Sequence, residues 1–171
     1  NSETPESFME KLEKRHVDME ISEFEIQNNL ELEKPVVQSF EFEKEGAYEI
    51  IGGKIYFSPM FYLATLENPF KAETREFPVD YGYPWEDKYI ITIAIPEGYV
   101  VESIPEPMAI VLTEGMGQFR YNITAGGNQI NVRVEESINT PIVPSHYYAD
   151  LKEFFRHIVE KESEKIILTK A

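Results

Sequence analysis

Apolar and polar residues alternate along three segments in the second half of the chain, and this pattern predicts β-strands. The segments are KYIITIAI at 88–95, QFRYNIT at 118–124 and INVRVE at 130–135. The first is apolar at nearly every position after Lys88, which predicts a long and mostly buried strand. The other two flank Gly126–Gly127–Asn128, a turn sequence that predicts a β-hairpin.

Further strands are predicted between turn residues rich in proline and glycine. Pro96–Gly98 and Pro105–Pro107 bound a strand at 99–104, and KIILT at 165–169 is interpreted as a closing strand. Strands spaced about ten residues apart, with such turns between them, are typical of an antiparallel, Greek-key-like β-sandwich. The predicted fold class is therefore mainly β.

One segment after Pro144 has a helical period instead. Ser145 is the expected N-cap, and the helix packs its apolar stripe on the sandwich. The stripe consists of Tyr147, Leu151, Phe154, Phe155, Ile158 and Val159.

The first third of the chain begins with a short predicted helix at 6–16, capped by Ser2 or Thr4. Alternation then begins at Val17, and its parity shifts by one residue near Ser22–Glu23, which predicts a β-bulge.

Two further features precede the second half. Phe40 and Phe42 lie between glutamates and predict a strand with one solvated face, and Gly52–Gly53 in EIIGGKIYF predicts a two-residue hairpin turn. The segment 58–67 is apolar, and either a strand or a short helix fits it.

These patterns divide the chain into a connector helix at 1–16 and one β-sandwich domain at 17–171, with a sub-boundary considered near 67–72. The chain opens at Asn1 rather than at a methionine and has no signal peptide. We therefore expect it to be a fragment of a longer protein whose export signal lies upstream.

The charge narrows the classes of partner. Thirty-one acidic and 16 basic residues give a formal net charge of −15, which disfavours nucleic acids and anionic lipids as partners. No apolar run approaches the roughly 18–20 residues of a membrane span. The chain has no cysteine, which excludes thiol nucleophiles and thiolate metal sites within it.

No cofactor, metal or catalytic set is predicted. His146, Asp150 and Glu153 have the helical spacing of metal ligands, but this spacing arises easily by chance, and exposed polar residues are the preferred interpretation. The nucleophile-elbow motif GxSxG and phosphate-binding glycine loops are absent. A cleft lined by carboxylates with shifted pKa values would be needed to indicate catalysis.

The segment FPVDYGYPWEDKY at 77–89 is the richest in aromatic residues. It supports two interpretations: a platform that stacks on a glycan or peptide ligand, and a rigid loop whose rings plug the edge of the core. The exposure of Trp85 discriminates between them. The candidate ligand-binding residues are Tyr81, Tyr83, Trp85, Asp87 and Tyr89.

The same region resembles a known family. ENPFKAETREFPVDYGYPWEDKYIITIAIPEGYVVESIPEP, followed by GQFRY, GGNQINV, INTPIVPSHYYADLKEFF and EKIILTK, is similar to a C-terminal domain of unknown function. That domain follows a transglutaminase-like core in exported multidomain proteins of gram-negative bacteria.

The resemblance implies a non-catalytic accessory domain whose partner is a transglutaminase-like core of the same polypeptide, upstream of this chain. We expect the domain to support the stability of that core or its access to substrate. It also implies an extracytoplasmic location, which is periplasmic, at the cell surface or secreted. The Cys–His–Asp triad of such a core cannot be carried onto any residue here, and the family supplies no ligand. The alternative function is a glycan- or peptide-binding module that uses residues 81–89.

Overall fold

The computed structural model describes residues 4–16, 18–28, 30–31 and 33–171. Its contacts divide the chain into two compact units, 1–47 and 48–171. In the first unit, α1 spans Pro5–Arg15, β1 spans Met19–Gln27 and β2 spans Val37–Lys44. The second unit contains ten strands and α2 at Tyr148–Glu162. These strands are β3 Glu49–Ile51, β4 Lys54–Phe57, β5 Val79–Asp80, β6 Trp85–Ala94, β7 Tyr99–Ser103, β8 Met108–Leu112, β9 Gly117–Gly126, β10 Gln129–Ile138, β11 Ile142–Val143 and β12 Ile166–Lys170.

The first unit is a helix followed by a β-hairpin. The Thr4 side chain caps α1 by accepting a hydrogen bond of 3.3 Å from the Ser7 N–H, as predicted. The other predicted cap, Ser2, lies outside the described residues. The rings of Phe8 and Phe24 lie 5.0 Å apart, so the helix packs on β1.

The parity shift in β1 is a bulge, as the sequence predicts. β1 pairs antiparallel with β2, and the register shifts between Ser22 and Glu25. Glu23 adopts a φ of +49°, and this left-handed backbone conformation accommodates the extra residue.

The second unit is an antiparallel β-sandwich. One sheet has the order β6-β10-β9-β8, the other has the order β3-β4-β12-β7, and β5 pairs with β11 in a separate two-stranded ladder. After β6, the chain contributes β7 to the other sheet and then forms β8, β9 and β10, of which β10 returns to lie beside β6. This is a Greek-key-like arrangement. Both sheets contribute to one hydrophobic core, for example Phe119 and Val132 from the first and Phe57 and Leu168 from the second. The predicted fold class is confirmed.

Both predicted hairpins are present. Gly52 and Gly53 have φ values of +60° and +80° between β3 and β4, where residues other than glycine would be strained. The β9–β10 hairpin turns at Gly127–Asn128 and is in register along all ten residues of each strand.

One strand prediction needs correction. β6 is not mostly buried, because it is an edge strand with one face in solvent, and Ile90 is 78% exposed. The predicted closing strand at 165–169 is present as β12, and it lies between β4 and β7. The uncertain segment 58–67 contains a 3₁₀ helix at Phe61–Leu63 and no strand.

The predicted C-terminal helix is confirmed with a different start. A 3₁₀ turn at Ser145–Tyr147 precedes α2, so Tyr147 occupies the N-cap position and Ser145 makes no capping hydrogen bond. The later start places Tyr148, rather than Tyr147, in the buried stripe. The buried residues of the predicted stripe are Leu151, Phe154, Phe155 and Ile158.

The division of the chain by contacts falls between residues 47 and 48. The predicted division into a connector at 1–16 and a domain at 17–171, with a sub-boundary near 67–72, stays a prediction. In the described part of the chain, no helix combines the length and the hydrophobicity of a membrane span.

Candidate functional site

The inner face of the sheet β6-β10-β9-β8 carries carboxylates at one end. Alternation places Trp85, Asp87 and Tyr89 of β6 on the face that also carries Val134 and Glu136 of β10. Asp87 lies directly opposite Glu136 in the antiparallel register. Two like charges at directly opposite positions destabilise a sheet, so one of the two carboxyls gains by staying protonated.

Glu136 is the buried carboxyl of this pair. It is only 6% exposed. Burial, followed by the negative charges of Glu162 and Asp87, raises its pKa from 4.5 to about 8. Asp87, at the edge of the sheet, is exposed. Glu136 is therefore the group that stays protonated at neutral pH.

Glu162 supplies a second buried carboxyl from the last turn of α2. It is 1% exposed, and burial raises its pKa, although the hydrogen bond from Thr65 acts in the opposite direction. The Thr65 N–H donates to Glu162 Oε2 at 2.7 Å, and the Ser58 hydroxyl donates to the Glu162 main-chain carbonyl at 2.8 Å. These contacts join the end of α2 to the segment that follows β4.

Tyrosine hydroxyls share this environment. Burial and the Glu136 charge raise the pKa of Tyr81 to about 12, and burial with the charges of Asp87, Glu136 and Glu162 raises that of Tyr89 to about 12. Burial also raises the pKa of Tyr121, which is fully buried. Among the described residues, the hydroxyls of Tyr81 and Tyr121 have no hydrogen-bond partner. We call Tyr81, Asp87, Tyr89, Tyr121, Glu136 and Glu162 the acid–tyrosine cluster.

A lysine close to the cluster has its own partners. Lys161 is 5% exposed, and its Nζ lies 6.0 Å from the centre of the Tyr121 ring. The same Nζ donates to the Glu106 carbonyl at 3.1 Å and forms an ion pair of 2.7 Å with Glu164. The charge of Lys161 is therefore largely balanced by Glu164. In the described structure, Glu136 makes no ion pair with a basic residue.

The five residues predicted to bind a ligand are only partly brought together. Trp85 and Tyr81 are half-buried against the core, with ring centres 6.4 Å apart in an edge-to-face arrangement, and Tyr89 is half-buried further along β6. Tyr83 is 72% exposed, and Asp87 is also exposed. Three rings thus pack on the sandwich, while one ring and one carboxylate face solvent. Their role in ligand binding stays a prediction.

Sequence reasoning missed Glu136 and Glu162, although a signal for each is present. Ile130, Val132 and Val134 place every second residue of β10 inside, and the next inward position is Glu136. Likewise, the buried positions Phe155 and Ile158 of α2 continue to Glu162 at helical spacing. An acidic residue in register with an apolar stripe is the signal that could have found both.

The acid–tyrosine cluster does not form a group of metal ligands among the described residues. In the parts of the chain that the structure describes, no three histidine, aspartate or glutamate side chains are grouped to hold a metal ion. Asp150 and Glu153 of the candidate metal set are engaged elsewhere: Thr113 donates to Asp150 at 2.8 Å, and Glu153 pairs with Arg156. The cavities of about 320 and 250 Å³ in the second unit are lined by residues outside the cluster.

Fold and site together define a β-sandwich domain with a C-terminal helix and a buried acidic and tyrosine cluster. The sequence model of a family of domains of unknown function with a solved structure, DUF3858, matches residues 53–168. This match covers more than half of the chain, and the chain belongs to the DUF3858 family.

Known proteins add little beyond this family. A crystal structure described as a “putative protease” from Parabacteroides distasonis is similar over 57% of this chain and 19% of that chain, at 15% sequence identity and a TM-score of 0.48. The chain therefore matches about a fifth of the length of that protein. No curated protein matches the chain.

Proposed function

We propose that residues 48–171 form a non-catalytic accessory domain that packs against a transglutaminase-like core in a larger exported protein. The resemblance of residues 67–171 to domains in that context supports the proposal. The lack of cysteine supports it further, because a thiol nucleophile has to be supplied by another part of such a protein. In this proposal the protein acts outside the cytoplasm, in the periplasm or at the cell surface.

Three exposed hydrophobic side chains near the β5–β11 ladder carry the proposal. Phe77 is 74% exposed, Tyr83 is 72% exposed and Ile142 is 48% exposed. All three lie in or within three residues of the β5–β11 ladder, in which Ile142 pairs with Asp80. We call these three residues the ladder patch. Large apolar side chains grouped at the surface are typical of protein interaction sites.

The backbone of the ladder patch is held in place before any partner arrives. The Tyr81 N–H donates to the Pro141 carbonyl at 2.8 Å, and the Gly82 N–H donates to Asp80 Oδ1 at 2.8 Å. Gly82 has a φ of +77°, which this turn requires. A preorganised surface loses less conformational entropy on binding, so a patch of this kind suits a permanent contact between domains.

The test uses the full reading frame that encodes this chain. Phe77→Ser and Ile142→Ser remove exposed apolar area from the ladder patch, and Leu66→Ser, at a residue that is 76% exposed, is the matched control. We expect the patch variants, and not the control, to lower the melting temperature of the core or its turnover of a model amide substrate. A reading frame without such a core, or equal behaviour of all three variants, would contradict the proposal.

A glycan- or peptide-binding role for residues 81–89 is the second candidate, favoured by the exposed Tyr83 ring and the exposed Asp87 carboxylate. Such a pair can stack on a sugar and accept hydrogen bonds from its hydroxyls. Titration with soluble oligosaccharides tests this role, with Tyr83→Ala compared against Tyr48→Ala at another exposed tyrosine. Loss of binding in the first variant alone supports the role, and the absence of binding by the unaltered chain refutes it for those sugars.

A further inference from the structure

A groove with an apolar floor lies between β8 and α2, away from the acid–tyrosine cluster. Its volume is about 320 Å³, and Ile110, Val111, Leu112 and Phe154 supply its apolar lining. Leu112 and Phe154 are buried, and Ile110 is half-buried. The polar residues around the groove are Thr113, Asp150, Glu153 and His157.

The wall of the groove formed by β8 has a free backbone edge. β8 is the last strand of the order β6-β10-β9-β8 and pairs only with β9. Within residues 33–171, no strand pairs with its other edge. Alternate N–H and C=O groups along such an edge point away from the sheet and can pair with an added strand.

The side chains of β8 do not protect this edge. Its sequence, Met108–Leu112, contains no charged residue and no proline, which are the usual means of blocking strand addition. The opposite edge strand of the same sheet, β6, carries Glu86, Asp87 and Lys88. Of the two edge strands of this sheet, β8 is therefore the one whose side chains do not block the addition of a strand.

The charge beside the groove indicates the chemistry of its occupant. Asp150 and Glu153 project from α2 next to the apolar floor. Arg156 already neutralises part of the Glu153 charge, and His157 Nε2 lies 3.2 Å from Glu153 Oε1. The chain as a whole carries a net charge of −15, which attracts a cationic segment over a longer range.

We propose that this groove binds an extended peptide segment rich in lysine or arginine, which adds to β8 as a further strand of the sheet. Its main chain pairs with the free edge of β8 over about 16 Å, the length of five extended residues. Alternate apolar side chains of the segment lie on Ile110, Leu112 and Phe154, and the basic side chains reach Asp150 and Glu153. This site is separate from the ladder patch, so the proposed peptide binding does not depend on the proposed accessory function.

The test uses the full chain and a short fluorescent peptide of alternating lysine and valine. Binding is followed by fluorescence anisotropy, and main-chain amide shifts are followed by NMR. We expect shifts concentrated in residues 108–112 and 150–157. Methylation of the peptide nitrogens that face β8 should abolish binding, because it removes the donors of the added strand.

Two charge reversals provide the matched comparison. Glu153→Lys reverses a charge beside the groove, and Glu97→Lys reverses an exposed charge in the turn between β6 and β7. We expect Glu153→Lys to weaken binding about fivefold or more and Glu97→Lys to change it much less. Equal weakening by both variants, unchanged affinity of the methylated peptide, or self-association of the chain through β8 in place of peptide binding would overturn the proposal.

Discussion

Replacing Glu136 by glutamine tests the acid–tyrosine cluster directly. Glutamine has nearly the same shape as a protonated glutamate, and it cannot ionise. In the unfolded chain Glu136 loses its proton near pH 4.5, whereas in the folded protein burial, Glu162 and Asp87 raise the pKa to about 8. Because the folded pKa is the higher one, Glu136 lowers the stability progressively as the pH rises from about 4.5 to about 8.

The magnitude follows from the two pKa values of 4.5 and about 8. At about 1.4 kcal/mol per pKa unit, the penalty is about 1 kcal/mol at pH 5, about 3 kcal/mol at pH 7 and somewhat above 4 kcal/mol at pH 8. The free energy of unfolding of the unaltered protein should therefore fall by about 3 kcal/mol more than that of Glu136→Gln between pH 5 and pH 8.

Urea unfolding at several pH values measures this difference. The fluorescence of Trp85, the only tryptophan, reports on the strand that faces Glu136. Glu135→Gln is the matched control, because Glu135 is the preceding residue of β10 and its hydrogen bond from Arg133 lowers its pKa. Glu135→Gln should therefore cause a small loss of stability at pH values above 4.5. This effect has the opposite sign to that of Glu136→Gln.

One result would refute this reasoning. If the unaltered protein and Glu136→Gln kept a constant stability difference from pH 5 to pH 8, Glu136 would have the same pKa in the folded and the unfolded state. Water would then have to reach its carboxylate in the folded protein. The slope of the unfolding curves with urea should be unchanged in the variant, which checks that the same surface is exposed on unfolding.

Three further pairs of substitutions test neighbouring features by urea unfolding. Tyr121→Phe removes a buried hydroxyl that has no partner among the described residues, so the stability should stay the same or rise. Tyr148→Phe removes a hydroxyl that donates to a carbonyl at 3.1 Å and should lower the stability by about 1 kcal/mol. Glu162→Ala leaves a main-chain N–H without its acceptor and should cost about 1–3 kcal/mol, while Glu162→Gln keeps an acceptor and should cost less. Gly117→Ala places a Cβ 2.8 Å from a carbonyl oxygen and should cost about 1–3 kcal/mol, and Gly126→Ala, with open space around its Cβ, should be nearly neutral. Equal effects within any of these pairs would contradict the corresponding contact.

The sequence reveals the aromatic segment of the candidate site, but it does not reveal which distant residues lie close to that segment. The aromatic run at 81–89 is visible in the sequence, yet its division into half-buried Trp85 and exposed Tyr83 depends on where β6 begins and on which face packs against the other sheet. Glu136 and Glu162 are 26 positions apart by their residue numbers. Only the packing of the helix end near the sheet lets the charge of Glu162 raise the pKa of Glu136.

The local elements of this protein are encoded in short stretches of sequence. The β9–β10 hairpin, the Gly52–Gly53 turn and the bulge near Glu23 follow from side-chain alternation and from glycines that accept positive φ. The apolar stripe of α2 follows from its helical period. These features depend on interactions between residues that are close together in the chain.

The tertiary structure alone decided which strands are edges and which acids are buried. The alternation of residues 88–95 is compatible with either a central or an edge strand, and only the pairing shows that β10 is the single neighbour of β6. Ile90 is 78% exposed because it projects from the face of the sheet that lies away from the core. In the same way, KIILT became a central strand because β4 and β7, distant in sequence, pair with its two edges. Backbone hydrogen bonding between strands does not depend on side-chain identity, so strand order is set by how the whole chain buries its apolar faces together.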